Sequence, residues 1–212
     1  MKGKIYSLGL EFLLLFVIMP VSFTIGYPLW VKALLAVSGF LYILVLLKKA
    51  EGISFRIKKR IKWKAFTKRI VMTFLIIAIL TTTFVINTQP EALFIVPRTN
   101  MLLFIGILFV YSVFSVWPQE IIYRTFFFER YDILFKSRSL LIFVNAVVFS
   151  LAHLFFRNTL VLVLTFLGGL IFGMTYVRFR STTLVTIEHA LYGNWLFTVG
   201  MGEMLAFPGY EA

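Results

Sequence analysis

The chain is 212 residues long, 60% hydrophobic and 18% aromatic, with 21 Lys and Arg against 9 Asp and Glu, two His and no Cys. This apolar share, with a mean hydropathy of +0.94, exceeds what a soluble core of this length can bury, so a polytopic membrane protein is expected instead of a soluble one. The missing cysteines exclude disulfides, thiolate catalysis and cysteine-ligated zinc. The net charge of +12 does not mark a nucleic-acid partner, because the cations collect in alternate loops and not on one soluble face.

Crossing about 30 Å of hydrocarbon takes about 20 apolar residues at 1.5 Å per residue. On that length the chain predicts seven spans, near 6–25, 29–47, 70–87, 102–123, 140–156, 159–178 and 182–200. The first follows Lys2-Gly3-Lys4 and resembles a signal peptide, but no small-x-small cleavage site follows and a second apolar run begins directly after Gly26-Tyr27-Pro28. It is read as a retained helix. After the second span comes a basic loop over 48–69, in which residues 53–66 interleave cations with Ile, Phe and Trp. Such a segment is expected at the inner headgroup surface, with anionic lipid as its partner, and serves as a topological anchor or as a lipid or partner sensor. The stretch from Ala92 to Phe128 has room for a re-entrant piece. Gly169-Leu170-Ile171-Phe172-Gly173 offers a small-x-x-x-small face for close helix contact, within the chain or with a partner. The tail over 201–212 is short and polar for an eighth crossing, although eight remain possible.

The expected fold is therefore an all-α, polytopic transmembrane helical bundle. Residues 1–100 form N-terminal helices, 101–200 a core, and 201–212 a tail. With the N-terminus in the cytoplasm, the inner side collects all Lys and Arg except Lys32, Arg98 and Arg157. That asymmetry sets the orientation, and an odd number of crossings puts the C-terminus outside. No internal repeat or pair of broken helices marks a transporter.

Ionisable side chains at membrane depth are costly and usually functional. His153 and His189, the only histidines, lie in separate apolar stretches, and a third such stretch runs into Gln119-Glu120-Ile121-Ile122-Tyr123-Arg124. Three helices that each bring one proton-handling group point to a site between them. Glu120 and Arg124 are four residues apart on one helix face, an order that favours an ion pair, and such a pair is also a purely structural way to carry charge in a membrane helix. Pro118 can kink this helix and free a backbone carbonyl. Phe149 precedes His153 by one turn, and His153 alone could be only an interhelical hydrogen bond. Gly193 lies one turn after His189 and leaves room for a neighbour, with Asn194 beside it. Glu188 points about 100° away from His189, toward a partner such as Arg178 or Arg180. Two imidazoles, a carboxylate and an amide supply the base and the oxyanion donors that peptide-bond hydrolysis needs. The same set could ligate zinc, but there is no H-E-x-x-H helix and Arg124 would oppose a dication, so no cofactor is expected.

These motifs resemble the CAAX prenyl endopeptidase and bacteriocin-processing membrane proteases, also called the abortive-infection or type II CAAX protease family. The family's order is E-E-x-x-x-R, F-x-x-x-H and H-x-x-x-N. Here Gln119-Glu120 with Arg124, Phe149 with His153, and His189 with Asn194 follow it over roughly 101–200. The resemblance implies an intramembrane glutamic-type endopeptidase of the bacterial plasma membrane, acting on a membrane-associated peptide or protein. Glu120 and His153 would activate water, His189 and Asn194 would stabilise the oxyanion, and Arg124 would position the carboxylate. Two positions depart from the pattern. Gln119 stands where the first glutamate belongs, and Asn194 falls five residues after His189, leaving Gly193 in the family's place. Either Glu120 has become the working carboxylate with Gln119 as a donor, or the chain keeps the fold as a regulatory or immunity-type interaction protein. The depths pose a separate demand. Residue count puts Glu120 near the inner end of its span and His153 toward the outer end of the next, so a joint site requires tilted helices or a fourth helix that continues through Phe128.

Overall fold

A computed structural model describes residues 2–49 and 63–205. The middle of the basic loop and the end of the tail lie outside the described residues. Everything regular within them is helical, as a bilayer-embedded backbone requires when its amides have no water to bond. Six helices are long and apolar enough to cross a membrane: α1 Gly3–Ser22, α2 Leu29–Lys49, α3 Trp63–Thr88, α4 Met101–Leu134, α5 Arg138–Phe156 and α6 Thr159–Phe179. A further helix, α7 Thr182–Val199, occupies the seventh predicted position. It is too polar to count with the other six, because Glu188, His189 and Asn194 lie along it. The outer surface is apolar, with Leu102 82%, Phe114 69% and Ile79 65% exposed, as expected of side chains that face lipid instead of water.

Helix α4 departs most from a simple span. Its 34 residues cover about 50 Å at 1.5 Å per residue, and it continues through Phe128 to Leu134. Glu120 is thereby carried well inside the helix. Two wide π-helical stretches, Tyr111–Val116 and Ile121–Phe126, flank the short α segment that holds Pro118. Proline cannot donate to the carbonyl one turn back. Each wide turn absorbs about one extra residue, which turns the following side chains by about 100° about the axis.

The ends of the core helices are set by side chains. Ser137 caps α5 by accepting from the Leu140 amide, Asn158 caps α6 by accepting from Leu160 and Val161, and Ser181 caps α7 by accepting from Leu184. Helices α5 and α6 form the tightest pair. A Cβ at Gly169 would stand 2.7 Å from Cα of Ala146, so the small-residue face on α6 is spent on contact within the chain. The core around them is aromatic: Phe16, Phe126, Phe127, Phe128, Tyr131 and Phe149 are all enclosed.

Polar pins tie the remaining helices to this core. Glu11 on α1 receives both Nε and Nη2 of Arg130 at 2.9 and 2.8 Å, the Tyr131 hydroxyl at 2.9 Å and the Tyr42 hydroxyl at 3.1 Å. One carboxylate thus joins α1, α2 and α4. Arg69 on α3 donates to Oγ1 of Thr175 at 2.9 Å and to the Ile171 carbonyl at 3.3 Å on α6. Trp195 on α7 donates to Oγ1 of Thr81 on α3 at 3.0 Å.

Candidate active site

Helices α4 to α7 bring the sequence-predicted residues to one region. Glu120, fully enclosed, leaves the short segment after Pro118 and meets α7, where its Oε1 lies 2.7 Å from Nδ1 of His189. Its Oε2 lies 3.3 Å from Nε of Arg124. That contact is an ion pair and not an aligned hydrogen bond, since neither atom has a hydrogen-bond partner. The expected pairing of Glu120 with Arg124 is therefore present, and the carboxylate holds an imidazole as well.

Arg124 is buried by a setting that replaces water piece by piece. Its Nη1 donates to Oδ1 of Asn145 at 3.1 Å, and Asn145 donates in turn to the Tyr123 carbonyl at 2.7 Å. The guanidinium lies over the Phe149 ring at 4.6 Å and near the Phe172 ring at 5.5 Å, positions where a ring face attracts a cation. Phe172 also stacks on His189 with centroids 4.4 Å apart. No sequence motif contains Asn145, and Phe172 stands in the small-x-x-x-small run only as an intervening residue. The one available signal was an asparagine alone in the apolar run of α5.

His153 stands just past the regular part of α5. Its Nδ1 lies 2.7 Å from the Phe149 carbonyl, and its ring stacks edge-on against Phe149 with centroids 4.9 Å apart. The Phe149 ring is also 5.7 Å from His189, so this phenylalanine separates and positions both imidazoles and the guanidinium. Among the described residues, no hydrogen bond joins His153 to Glu120. Both histidines border a largely apolar cavity of about 1330 Å³, together with Gln119, Ser115 and Tyr111. Glu120, Arg124 and Asn194 are not part of its wall.

Gln119 donates to Oγ of Ser115 at 2.9 Å, while its Oε1 is buried without a hydrogen-bond partner. Asn194 lies on a regular stretch of α7, with no loosening at Gly193, and donates to Oγ of Ser112 on α4 at 3.0 Å. Glu188 differs from expectation in its partner. It faces Arg69 at 3.9 Å and accepts from the Tyr192 hydroxyl at 3.1 Å, whereas Arg180 pairs with Glu129 at 3.0 Å. The 100° offset from His189 was correct, but the cation that fills that direction comes from α3, far away in sequence. No group of three or more His, Asp or Glu among the described residues could hold a metal ion.

The arrangement can move protons and orient hydrogen bonds. A carboxylate accepts, so Nδ1 of His189 carries hydrogen, and a backbone carbonyl accepts, so Nδ1 of His153 does too. In the neutral rings both Nε2 atoms are then lone pairs, each on a residue that borders the same cavity. Comparison with known proteins bears on what such a cavity serves. No curated protein and no solved structure matches the chain. A family model described as type II CAAX prenyl endopeptidase Rce1-like matches residues 99–195, a segment that runs from α4 into α7 and contains Gln119, Glu120, Arg124, His153, His189 and Asn194. Residues 99–195 of this all-helical membrane protein are thus similar to the Rce1-like type II CAAX prenyl endopeptidases.

Proposed function

We propose that this protein is an intramembrane endopeptidase that hydrolyses a peptide bond of a membrane-associated protein or peptide. The observation that supports this reading best is the enclosed Glu120–His189 pair at 2.7 Å, set beside a cavity that His153 also borders. In this reading His153 is the base. Its Nε2 takes a proton from water while the water oxygen bonds to the scissile carbonyl carbon. Gln119 Oε1 is an acceptor for the same water. Glu120 works through His189 and does not touch water itself: it accepts from Nδ1–H, and a proton taken up from solvent at Nε2 before the attack makes His189 a donor on both sides, so that Nε2–H donates to the developing oxyanion and stays on His189 through the step. Arg124 and Asn145 hold Glu120 in place. The proton on His153 leaves with the amine when the C–N bond breaks. No step needs a metal, since the carboxylate is taken up by His189 and Arg124.

Cleavage of a membrane-peptide library by purified protein tests the reading. Glu120→Gln and His153→Ala should each lower kcat/KM by about 100-fold or more while the protein still unfolds cooperatively, and chelator should leave the wild-type rate unchanged. A second reading rests on Gln119, an amide where the family pattern has a carboxylate. If the wild type is silent and Gln119→Glu cleaves, the chain is a non-catalytic relative that uses the same framework for binding.

A further inference from the structure

The position one turn after His189 is glycine, and the space beside it is filled from another helix. A Cβ at Gly193 would overlap the hydroxyl, Cζ and Cε1 of Tyr111, so no other residue fits there without displacing the phenol. The Tyr111 hydroxyl lies 3.2 Å from Nε2 of His189, the nitrogen left over after Glu120 has taken Nδ1. Its ring packs edge-on against Phe197 with centroids 5.0 Å apart and against His189 at 6.2 Å. Tyr111 begins the first wide turn of α4, and its neighbour Ser112 accepts from Asn194 at 3.0 Å. The asparagine that does not reach the cavity therefore anchors the turn that carries a phenol to it.

We propose that the Tyr111 hydroxyl is the second oxyanion donor of this site, occupying the place that glycine opens at position 193, with Asn194 as its positioning residue. The proposal rests on the peptidase reading. With His189 neutral, Tyr111 donates its hydrogen to Nε2. Once His189 takes up a second proton from solvent at Nε2, before water attacks, Nε2–H becomes a donor that keeps this proton through the step, and the phenol hydrogen is free to turn toward the cavity. As water adds to the carbonyl carbon, the carbonyl π pair moves onto oxygen and the water proton passes to His153. The oxyanion then accepts from both Nε2–H of His189 and the Tyr111 hydroxyl. Tyr111 keeps its proton throughout, so it acts by hydrogen bonding and not as an acid.

The test is a kinetic comparison of wild type and Tyr111→Phe on the fastest-cleaved member of a fluorogenic membrane-peptide library. Loss of one oxyanion donor should lower kcat by about 100-fold, with KM within about twofold and the thermal midpoint unchanged. Equal kcat in the two proteins, or a rise in KM alone, overturns the role of Tyr111 and leaves the peptidase reading standing. Silence of the wild type on the whole library overturns both. Should Tyr111→Phe prove unstable, Tyr111→Ala and Tyr111→Ala/Gly193→Asn decide the matter. Recovery of about tenfold or more in the double variant supports a donor at this place, and no recovery rejects it.

Discussion

Arg124 shows how a full charge is kept in a membrane interior. It meets a carboxylate, an amide and two aromatic rings, and each contact replaces part of its lost hydration. Truncating a partner of a buried charge leaves the charge unpaired and costs more than the contact itself contributes. Asn145→Leu should therefore lower stability by about 2 kcal/mol, measured as a fall in unfolding midpoint in detergent, and should also weaken cleavage by loosening Glu120. The motif residues Glu120, Arg124, His153 and His189 were legible because each is a polar side chain in an apolar run. Asn145, Phe172 and Tyr111 were not, because their roles depend on which helix faces which, and residue type carries no such information.

At the level of helices, the wide turns of α4 set the direction in which Glu120 points. Moving a side chain by one position turns it about 100°, and an inserted residue in the turn before it can restore its aim. Removal of one lipid-facing residue from the first wide turn, such as Phe114, should return that turn to α geometry and swing Glu120 away from His189. Cleavage should then be lost while helical content by circular dichroism is kept. The α5–α6 contact allows a paired test. Gly169→Val meets the Ala146 backbone and should destabilise the protein by about 1–3 kcal/mol. At Gly106 on α4 nothing lies within 4 Å of an added Cβ, so Gly106→Ala should be neutral or slightly stabilising. The small-x-x-x-small spacing identified the close face in advance, but only the packed structure shows that α5 occupies it. The position of Pro118 announced a disturbance in α4, and it takes the form of two wide turns, one on each side of the segment that holds this proline.

For the whole molecule, charge placement makes a prediction about topology. The chain contains no cysteine, so single-cysteine variants can be labelled from either side of a sealed vesicle without background. Lys64→Cys should react from the cytoplasmic side and Arg157→Cys from the opposite side. Glu203→Cys tells seven crossings from six. Labelling from the side of Arg157 means that α7 completes a seventh passage, and labelling from the side of Lys64 means that it does not. Because α7 holds Glu188, His189 and Asn194, it is less apolar than the other six helices.

Composition alone was enough to establish a multi-pass helical membrane protein, because an excess of apolar residues has no other stable solvent and a bilayer admits few backbone solutions. The order of the polar motifs likewise pointed to the family whose model matches residues 99–195. Contacts between helices could be decided only in three dimensions. Glu120 reaches His189, Glu188 turns to Arg69 on α3 and not to the nearby arginines, and Tyr111 fills the place left by Gly193. Each of these depends on the rotation and tilt of packed helices, and a shift of a single residue in one turn redirects every side chain that follows.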